Sequence, residues 1–131
     1  MKNKPQKIIY ENQEEVHSLI LSHLKSILPK EVVKAYLWGS VVERTFGKYE
    51  KMYCSHEGSD IDVIVIIDEE YIPSNWKFLN TEKEWWRLYS GGKIRIHNCM
   101  HKIELLIVRK GYEDYLENRI KEKNWNVERL K

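Results

Sequence analysis

Cysteine is scarce in this sequence, where Cys54 and Cys99 are the two cysteines. They are too few for the disulfide framework of a small secreted domain, and a reducing compartment would keep both as thiols. Long apolar runs are missing as well. The longest runs, residues 63–67 and 105–108, are far shorter than the roughly 20 residues that cross a bilayer. No signal peptide is visible, so we expect a soluble, cytoplasmic protein without a membrane partner.

The chain also lacks a strong charge of either sign. Its 22 lysines and arginines nearly balance its 20 aspartates and glutamates, which leaves a formal net charge of +2. Bulk attraction to a polyanion is therefore not predicted, and any contact with nucleic acid would have to be local. The 131 residues contain no internal repeat and are enough for one core. We predict a single domain over residues 1–131, with one active surface.

Residues 58–68 are the stretch around which this domain is organised. They are rich in β-branched and apolar residues, which predicts a buried, central strand. Because side chains alternate between the two faces of a strand, Asp60 and Asp62 would lie on the same face at its leading end. Two acids at the entrance to a core need a cation. The alternative is a turn cap at Asp60 and a solvated strand end at Asp62.

An earlier strand, predicted over residues 32–38, ends at Gly39-Ser40. Glycine lets the backbone approach a ligand closely, and serine can cap the short helix predicted over residues 41–46. A corner of this kind suits a phosphate, and Arg44 and Lys48 could reach the same anion. An ordinary turn with solvated cations is the alternative.

A third acid lies in the segment 93–108, which predicts either two strands joined near residues 98–100 or one long, bent strand. Glu104 is flanked there by Ile103 and Leu105. A glutamate among apolar neighbours is costly to bury unless a cation pairs with it. If this strand lies beside residues 60–67, the third carboxylate meets the other two.

The remaining segments predict a mixed α+β fold. A helix begins after its cap Asn12 and ends before Pro29, and a second helix is predicted over residues 112–123. We also predict a polar loop over residues 48–57, a short helix over residues 81–89 that Gly91-Gly92 would end, and a tail over residues 125–131.

Three carboxylates on neighbouring strands suit Mg²⁺ or Mn²⁺, which bind a few carboxylates and leave other positions to water and phosphate. Two such ions, roughly 4 Å apart, could activate an attacking hydroxyl and stabilise a leaving pyrophosphate. With Gly39-Ser40 holding the outer phosphates, these parts predict in-line attack on the α-phosphate of a nucleoside triphosphate.

The motifs Trp38-Gly39-Ser40, Ser59-Asp60-Ile61-Asp62-Val63 and Ile103-Glu104-Leu105-Leu106 resemble those of the DNA polymerase β-like nucleotidyltransferases. The resemblance covers residues 32–108 and implies the nucleotidyltransferase fold, a mixed central β-sheet flanked by helices. It implies that Asp60 and Asp62 hold both metals and that Glu104 helps to activate the acceptor hydroxyl. It also implies that Gly39 and Ser40 bind the triphosphate.

The sequence departs from the family pattern in three ways. The segment between Ser40 and Asp60 is longer than in compact members, the third acid is Glu104 where aspartate is commoner, and no second domain holds a base or an acceptor. The chain looks like a minimal nucleotidyltransferase domain. Such domains are often paired with a small helical partner protein in toxin-antitoxin systems. The resemblance thus implies AMP transfer from ATP to a hydroxyl, with a partner protein as one candidate acceptor.

Two other functions stay open at this point. Cys54, His56, His97, Cys99 and His101 could form a zinc-like set, although their spacing matches no known zinc motif. The domain could also bind a nucleotide or a partner without turnover, for instance as an antitoxin subunit. The three acids favour the enzyme, because carboxylates placed together in an apolar sheet cost stability and have no structural purpose there.

Overall fold

A computed structural model describes residues 4–109 and 111–131 of the chain. These residues form nine strands, three α-helices and one turn of 3-10 helix, Glu69–Tyr71. The fold is therefore of the α+β class, as predicted, and strands predominate. In chain order the elements are β1 (Lys7–Ile9), α1 (Gln13–Ile27), β2 (Lys34–Trp38), α2 (Ser40–Glu43), β3 (Gly47–Tyr53), β4 (His56–Gly58), β5 (Ile61–Ile66), β6 (Lys77–Glu82), β7 (Trp86–Ile96), β8 (Cys99–Val108), α3 (Glu113–Lys123) and β9 (Val127–Arg129).

Six strands form the main sheet, in the order β6-β7-β8-β5-β2-β9. β5 and β8 run parallel, whereas the other neighbouring pairs are antiparallel. β5 lies between β8 and β2, and all of its residues except Asp62 are buried. A strand covered on both faces needs apolar side chains on both, which explains its unbroken β-branched run. The prediction of a buried central strand is confirmed.

Helices cover both faces of the main sheet. On one face, Val16, Ile20 and Leu24 of α1 are buried in the main core. Asn12 caps α1 as predicted, because its side-chain oxygen accepts a hydrogen bond from the Glu15 amide (3.3 Å). On the other face, which we call the α3 face, Leu116 of α3 is buried in a smaller apolar cluster. Because side chains alternate between the two faces of the sheet, β5 and β8 contribute residues to both clusters.

β1, β3 and β4 form a second, antiparallel sheet in the order β1-β3-β4. The predicted polar loop over residues 48–57 is therefore wrong. The turn residues Cys54 and Ser55 have positive φ values of 50° and 68°, which a tight hairpin requires. Pairing of β3 with the distant β1 supplies backbone hydrogen bonds that a polar local sequence does not reveal.

The predicted helix over residues 81–89 is also wrong. Residues 77–82 and 86–96 are strands, and the Lys83 amide donates to the Trp86 carbonyl in the turn between them (2.9 Å). β7 pairs with β8 from Trp86↔Val108 to Ile96↔Cys99. Pairing of 10 residues of β7 with β8 outweighs the local sequence that predicts a helix. Gly91-Gly92 ends no helix but lies in β7, at a register shift, and the two-strand alternative for residues 93–108 is confirmed.

The predicted tail over residues 125–131 is wrong as well, since β9 forms the edge strand beside β2. Trp125, just before β9, stacks on Trp38 with ring centroids 6.0 Å apart and planes 27° apart. β9 is short and polar, so its formation depends on pairing with β2, which lies far away in the sequence.

Candidate functional site

One row of side chains crosses the main sheet at the end of β2. The register pairs Trp38 with Asp62, Asp62 with Glu104, and Glu104 with Ser90. Residues paired in this way point to the same face, and neighbouring strands lie about 4.8 Å apart. Asp62 and Glu104 are therefore neighbours on the α3 face.

Asp60 lies two residues before Asp62 and belongs to the same face. Its Oδ1 accepts a hydrogen bond from Nδ1 of His56, the first residue of β4 (2.7 Å). About a quarter of each of these two side chains is exposed, 26% for His56 and 25% for Asp60. The fold thus brings the three predicted acids to one place and adds a histidine to them.

The crowding of these acids changes how they ionise. Burial raises the pKa of Asp62 to about 7, and the charges of Glu104 and Asp60 add to the increase. Burial also raises the pKa of Glu104, where Asp60 adds to the increase and His56 and Lys102 oppose it. Like charges in a partly buried site repel each other, so the ionised cluster is destabilised until a cation neutralises it.

Gly39 brings the backbone directly against this cluster. Its φ of 85° and ψ of −151° are a combination that residues with a side chain rarely adopt. A Cβ atom at this position would lie 3.0 Å from Oδ2 of Asp62. Ser40 follows as the first residue of α2, which has only 4 residues and is shorter than the predicted helix over residues 41–46. Gly39 therefore leaves free the space beside the Asp62 carboxylate.

The two cations predicted to join Ser40 have other neighbours. The Arg44 guanidinium donates to the Glu14 carboxylate (2.7 Å) and to the Val41 carbonyl (3.0 Å). Lys48 lines a different cleft, which also contains Cys99. A guanidinium that already pairs with a carboxylate has less attraction for a phosphate, so this geometry gives no support to Arg44 or Lys48 as nucleotide-binding residues.

The zinc-like set is dispersed. Cys54 is exposed at the tip of the β3–β4 hairpin, His97 lies in the turn between β7 and β8, and His56 bonds Asp60. Within residues 4–109 and 111–131, no three or more His, Cys, Asp or Glu side chains are arranged to hold a metal ion. The same is true of the carboxylates of Asp60, Asp62 and Glu104 in their present side-chain conformations, since Asp60 is hydrogen-bonded to His56.

A buried network lies behind the Asp-x-Asp segment. His101 is fully buried, and its Nδ1 donates to the Ser59 carbonyl (2.8 Å), so Nε2 is left to accept from the Tyr10 hydroxyl (2.8 Å). Burial lowers the pKa of His101, in keeping with this neutral form. Ser59 Oγ accepts from the Gly47 amide (3.3 Å). The network fixes the backbone that leads into Asp60.

A cleft of about 310 Å³ adjoins the carboxylates on the β7 side. We call it the Glu104 cleft, and its lining includes His56, Ser90, Gly92, Lys93, Lys102 and Glu104. This volume is near the lower end of the range for ligand sites, about 300–1,000 Å³. The cleft begins where the row of acids ends.

Sequence reasoning missed most of this lining. Lys102 could have been found, because it lies two residues before Glu104 on the same face of a predicted strand. Ser90 and Lys93 depend on the β7–β8 register, which the wrongly predicted helix over residues 81–89 concealed. The sequence suggests His56 only as a zinc ligand, and no local pattern relates it to Asp60.

No protein-family model matches the chain, and no curated protein matches it. Among the described residues, no helix is long and apolar enough to cross a membrane.

Proposed function

We propose that the protein is a metal-dependent nucleotidyltransferase. It would transfer a nucleoside monophosphate, with AMP from ATP as the first candidate, to an acceptor hydroxyl. The proposal includes the nucleotidyltransferase fold that the sequence motifs resemble. The observation that carries it is the direct pairing of Asp62 with Glu104 on parallel strands, with Asp60 on the same face.

The donor set suits Mg²⁺ or Mn²⁺. Asp60, Asp62 and Glu104 offer hard oxygen ligands, and the repulsion that raises the pKa of Asp62 would be relieved by a divalent cation. For all three to share a site, Asp60 would have to turn away from His56. When bound, such ions would supply charge neutralisation of the triphosphate and a lowered pKa for the attacking hydroxyl.

The chain's own residues have separate roles in this reaction. Gly39 leaves space for a phosphate beside Asp62, and the Gly39 and Ser40 backbone would position the leaving pyrophosphate. Glu104 would accept the hydroxyl proton, a role that its raised pKa favours. The acceptor oxygen forms a bond to the α-phosphorus, while the bond from that phosphorus to the bridging oxygen breaks and pyrophosphate leaves.

A binding module without turnover is the second candidate. The hydrogen bond between His56 and Asp60 favours it, because metal binding by all three carboxylates would have to break that bond. In this case the domain would bind a nucleotide or a small helical partner protein, as an antitoxin subunit does. Asp60→Asn and Asp62→Asn would then leave partner binding intact.

Thermal unfolding with each ribonucleoside triphosphate tests the proposal. ATP with Mn²⁺ or Mg²⁺ should raise the unfolding temperature of the wild type by several degrees, because a ligand at 100 times its dissociation constant adds about 2.7 kcal/mol. ATP without a divalent cation should have little effect. Asp60→Asn/Asp62→Asn should abolish the metal-dependent shift.

Asp114→Asn is the matched control, because Asp114 is an exposed aspartate on α3. It should leave the metal-dependent shift unchanged. The absence of a shift with all four triphosphates and either cation would contradict the proposal. A shift that survives Asp60→Asn/Asp62→Asn would place the nucleotide elsewhere.

A further inference from the structure

We infer that the Glu104 cleft receives the acceptor and that the reacting hydroxyl of the acceptor lies next to a phosphate group. This inference rests on the proposed function, in which the carboxylates are the site of transfer. The chemical class is a phosphorylated hydroxyl compound. The phosphate could belong to the 3′-terminal nucleotide of an oligonucleotide or to a free sugar phosphate.

In-line transfer determines the side from which the acceptor comes. The attacking and leaving oxygens lie on opposite sides of the phosphorus. Gly39 adjoins Asp62 from β2, so the leaving pyrophosphate would lie on that side of the row. On the opposite side, Glu104 is followed by Ser90 of β7 and by the Glu104 cleft. The attacking hydroxyl would therefore enter from this cleft.

The cationic part of the cleft is a pair of lysines. Lys93 of β7 and Lys102 of β8 are direct partners in the register, so their side chains point to the same face. Like charges directly opposite each other destabilise a sheet. An anion between the two ammonium groups would remove that repulsion.

Neither lysine is neutralised within the part of the chain that the structure describes, where no carboxylate forms an ion pair with Lys93 or Lys102. Lys102 is nevertheless close enough to Glu104 to oppose the increase in its pKa. The hydroxyl of Ser90 accepts from the Gly92 amide (3.2 Å), and its proton remains available to donate. Two ammonium groups and a hydroxyl donor suit a phosphate placed next to the reacting hydroxyl.

Direct binding measurements test this inference in the presence of Mg²⁺ and without a triphosphate, so that no turnover occurs. The probes are a fluorescein-labelled octamer of adenylate with a free 3′-hydroxyl, ribose 5-phosphate, and ribose. At least one phosphate-bearing probe should bind, and ribose should not. Lys93→Gln/Lys102→Gln should weaken that binding at least tenfold. If the octamer is the ligand, its slope of log affinity against log salt should fall by about 0.7 for each phosphate that the variant no longer neutralises.

Lys51→Gln/Lys83→Gln is the matched control, because it removes the same charge from two exposed lysines outside the cleft. It should change probe binding less than twofold. Binding of the octamer alone would identify a nucleic-acid acceptor, and binding of ribose 5-phosphate alone a small one. The inference is overturned if neither phosphate probe binds, or if both double variants weaken binding equally.

The metal-dependent ATP shift, measured on the same variants, separates the two proposals. Lys93→Gln/Lys102→Gln should retain that shift, since the lysines lie on the acceptor side. Absence of the ATP shift in the wild type would contradict the nucleotidyltransferase proposal itself. An intact ATP shift without phosphate-probe binding would overturn the acceptor class alone, and a hydroxyl on a partner protein would become the better candidate.

Discussion

The carboxyl group of Asp62 keeps its proton to a higher pH than an ordinary aspartate, because burial and the charges of Glu104 and Asp60 oppose its ionisation. Its pKa is about 7 in the folded chain, against 3.8 for an unperturbed aspartate. The folded state therefore binds this proton more tightly than the unfolded state does. The resulting stability is fully present below about pH 3.8 and is lost as the pH rises through about 7.

Asp62→Asn should raise the stability of the metal-free protein at pH 8, because asparagine removes a charge that the fold opposes. We expect an increase of roughly 5 °C in the unfolding temperature in buffer with a chelator. Near pH 4 the variant and the wild type should unfold at similar temperatures, since Asp62 is then neutral. Asp114→Asn removes an acidic side chain from the first turn of α3, so it should lower the unfolding temperature slightly at pH 8 rather than raise it. Equal destabilisation by Asp62→Asn at both pH values would contradict the electrostatic account.

At the scale of elements, Tyr10 and His101 connect the end of β1 to β8 through side chains. Tyr10 follows β1, and its hydroxyl donates to Nε2 of His101, while Nδ1 of the same ring holds the Ser59 carbonyl before β5. Burial lowers the pKa of His101. Protonation would place a hydrogen on the nitrogen that accepts from Tyr10, so the hydroxyl would have to accept from Nε2 and donate to the Ile96 carbonyl instead.

Tyr10→Phe should lower the free energy of unfolding at pH 8 by about 1–3 kcal/mol, because it leaves a buried nitrogen without a donor. The exposed Tyr71→Phe is the control and should have almost no effect.

The contribution of His101 to stability has the opposite pH dependence to that of Asp62. Because the folded pKa is lowered, the stability is fully present above about pH 6.5 and is lost as the pH falls. Urea unfolding of Asp62→Asn/Glu104→Gln between pH 8 and 5 tests this loss without the two carboxyl groups that have the opposite pH dependence, and unchanged stability over that range would contradict it.

The elements that sequence predicted correctly are those with a strong local pattern. α1 has a cap and an apolar stripe, α3 has an amphipathic period, and β5 has a run of β-branched residues. β9 was missed because its partner β2 is distant in sequence, whereas β6 and the first part of β7 form a hairpin whose local sequence predicts a helix. The same difference applies to the site. Asp60, Asp62 and Glu104 come from strands with a recognisable local pattern. His56 and Lys93 lie on hairpins, and the local sequence does not determine how the strands of these hairpins pair.

At the scale of the whole molecule, residues that flank the second sheet belong to the core of the main sheet. Tyr10 and Phe46 are buried beside the second sheet, and they belong to the same apolar cluster as Leu37 of β2 and Leu105 of β8. Elements that share a core gain little stability by folding separately. This arrangement is in line with the prediction of one domain, which stays a prediction.

The chain should therefore unfold in one cooperative transition. Tryptophan fluorescence, which reports on the buried Trp76 and on the stacked Trp38 and Trp125, should follow the same urea curve as far-ultraviolet circular dichroism. Two separated transitions would show that the second sheet is an independent unit. Tyr71→Phe again serves as a neutral control for the fluorescence signal.

The position of β8 and β9 late in the chain has a consequence for biosynthesis. Because synthesis runs from the amino end, β2 and β5 emerge while the strands that flank them are still unmade. Until β8 and β9 have been made, both outer edges of the β2–β5 pair are open to strands of other polypeptides. The incomplete chain is therefore prone to aggregation. A product released before residue 104 would carry two of the carboxylates and an exposed apolar strand, and we expect it to need a chaperone or a protease.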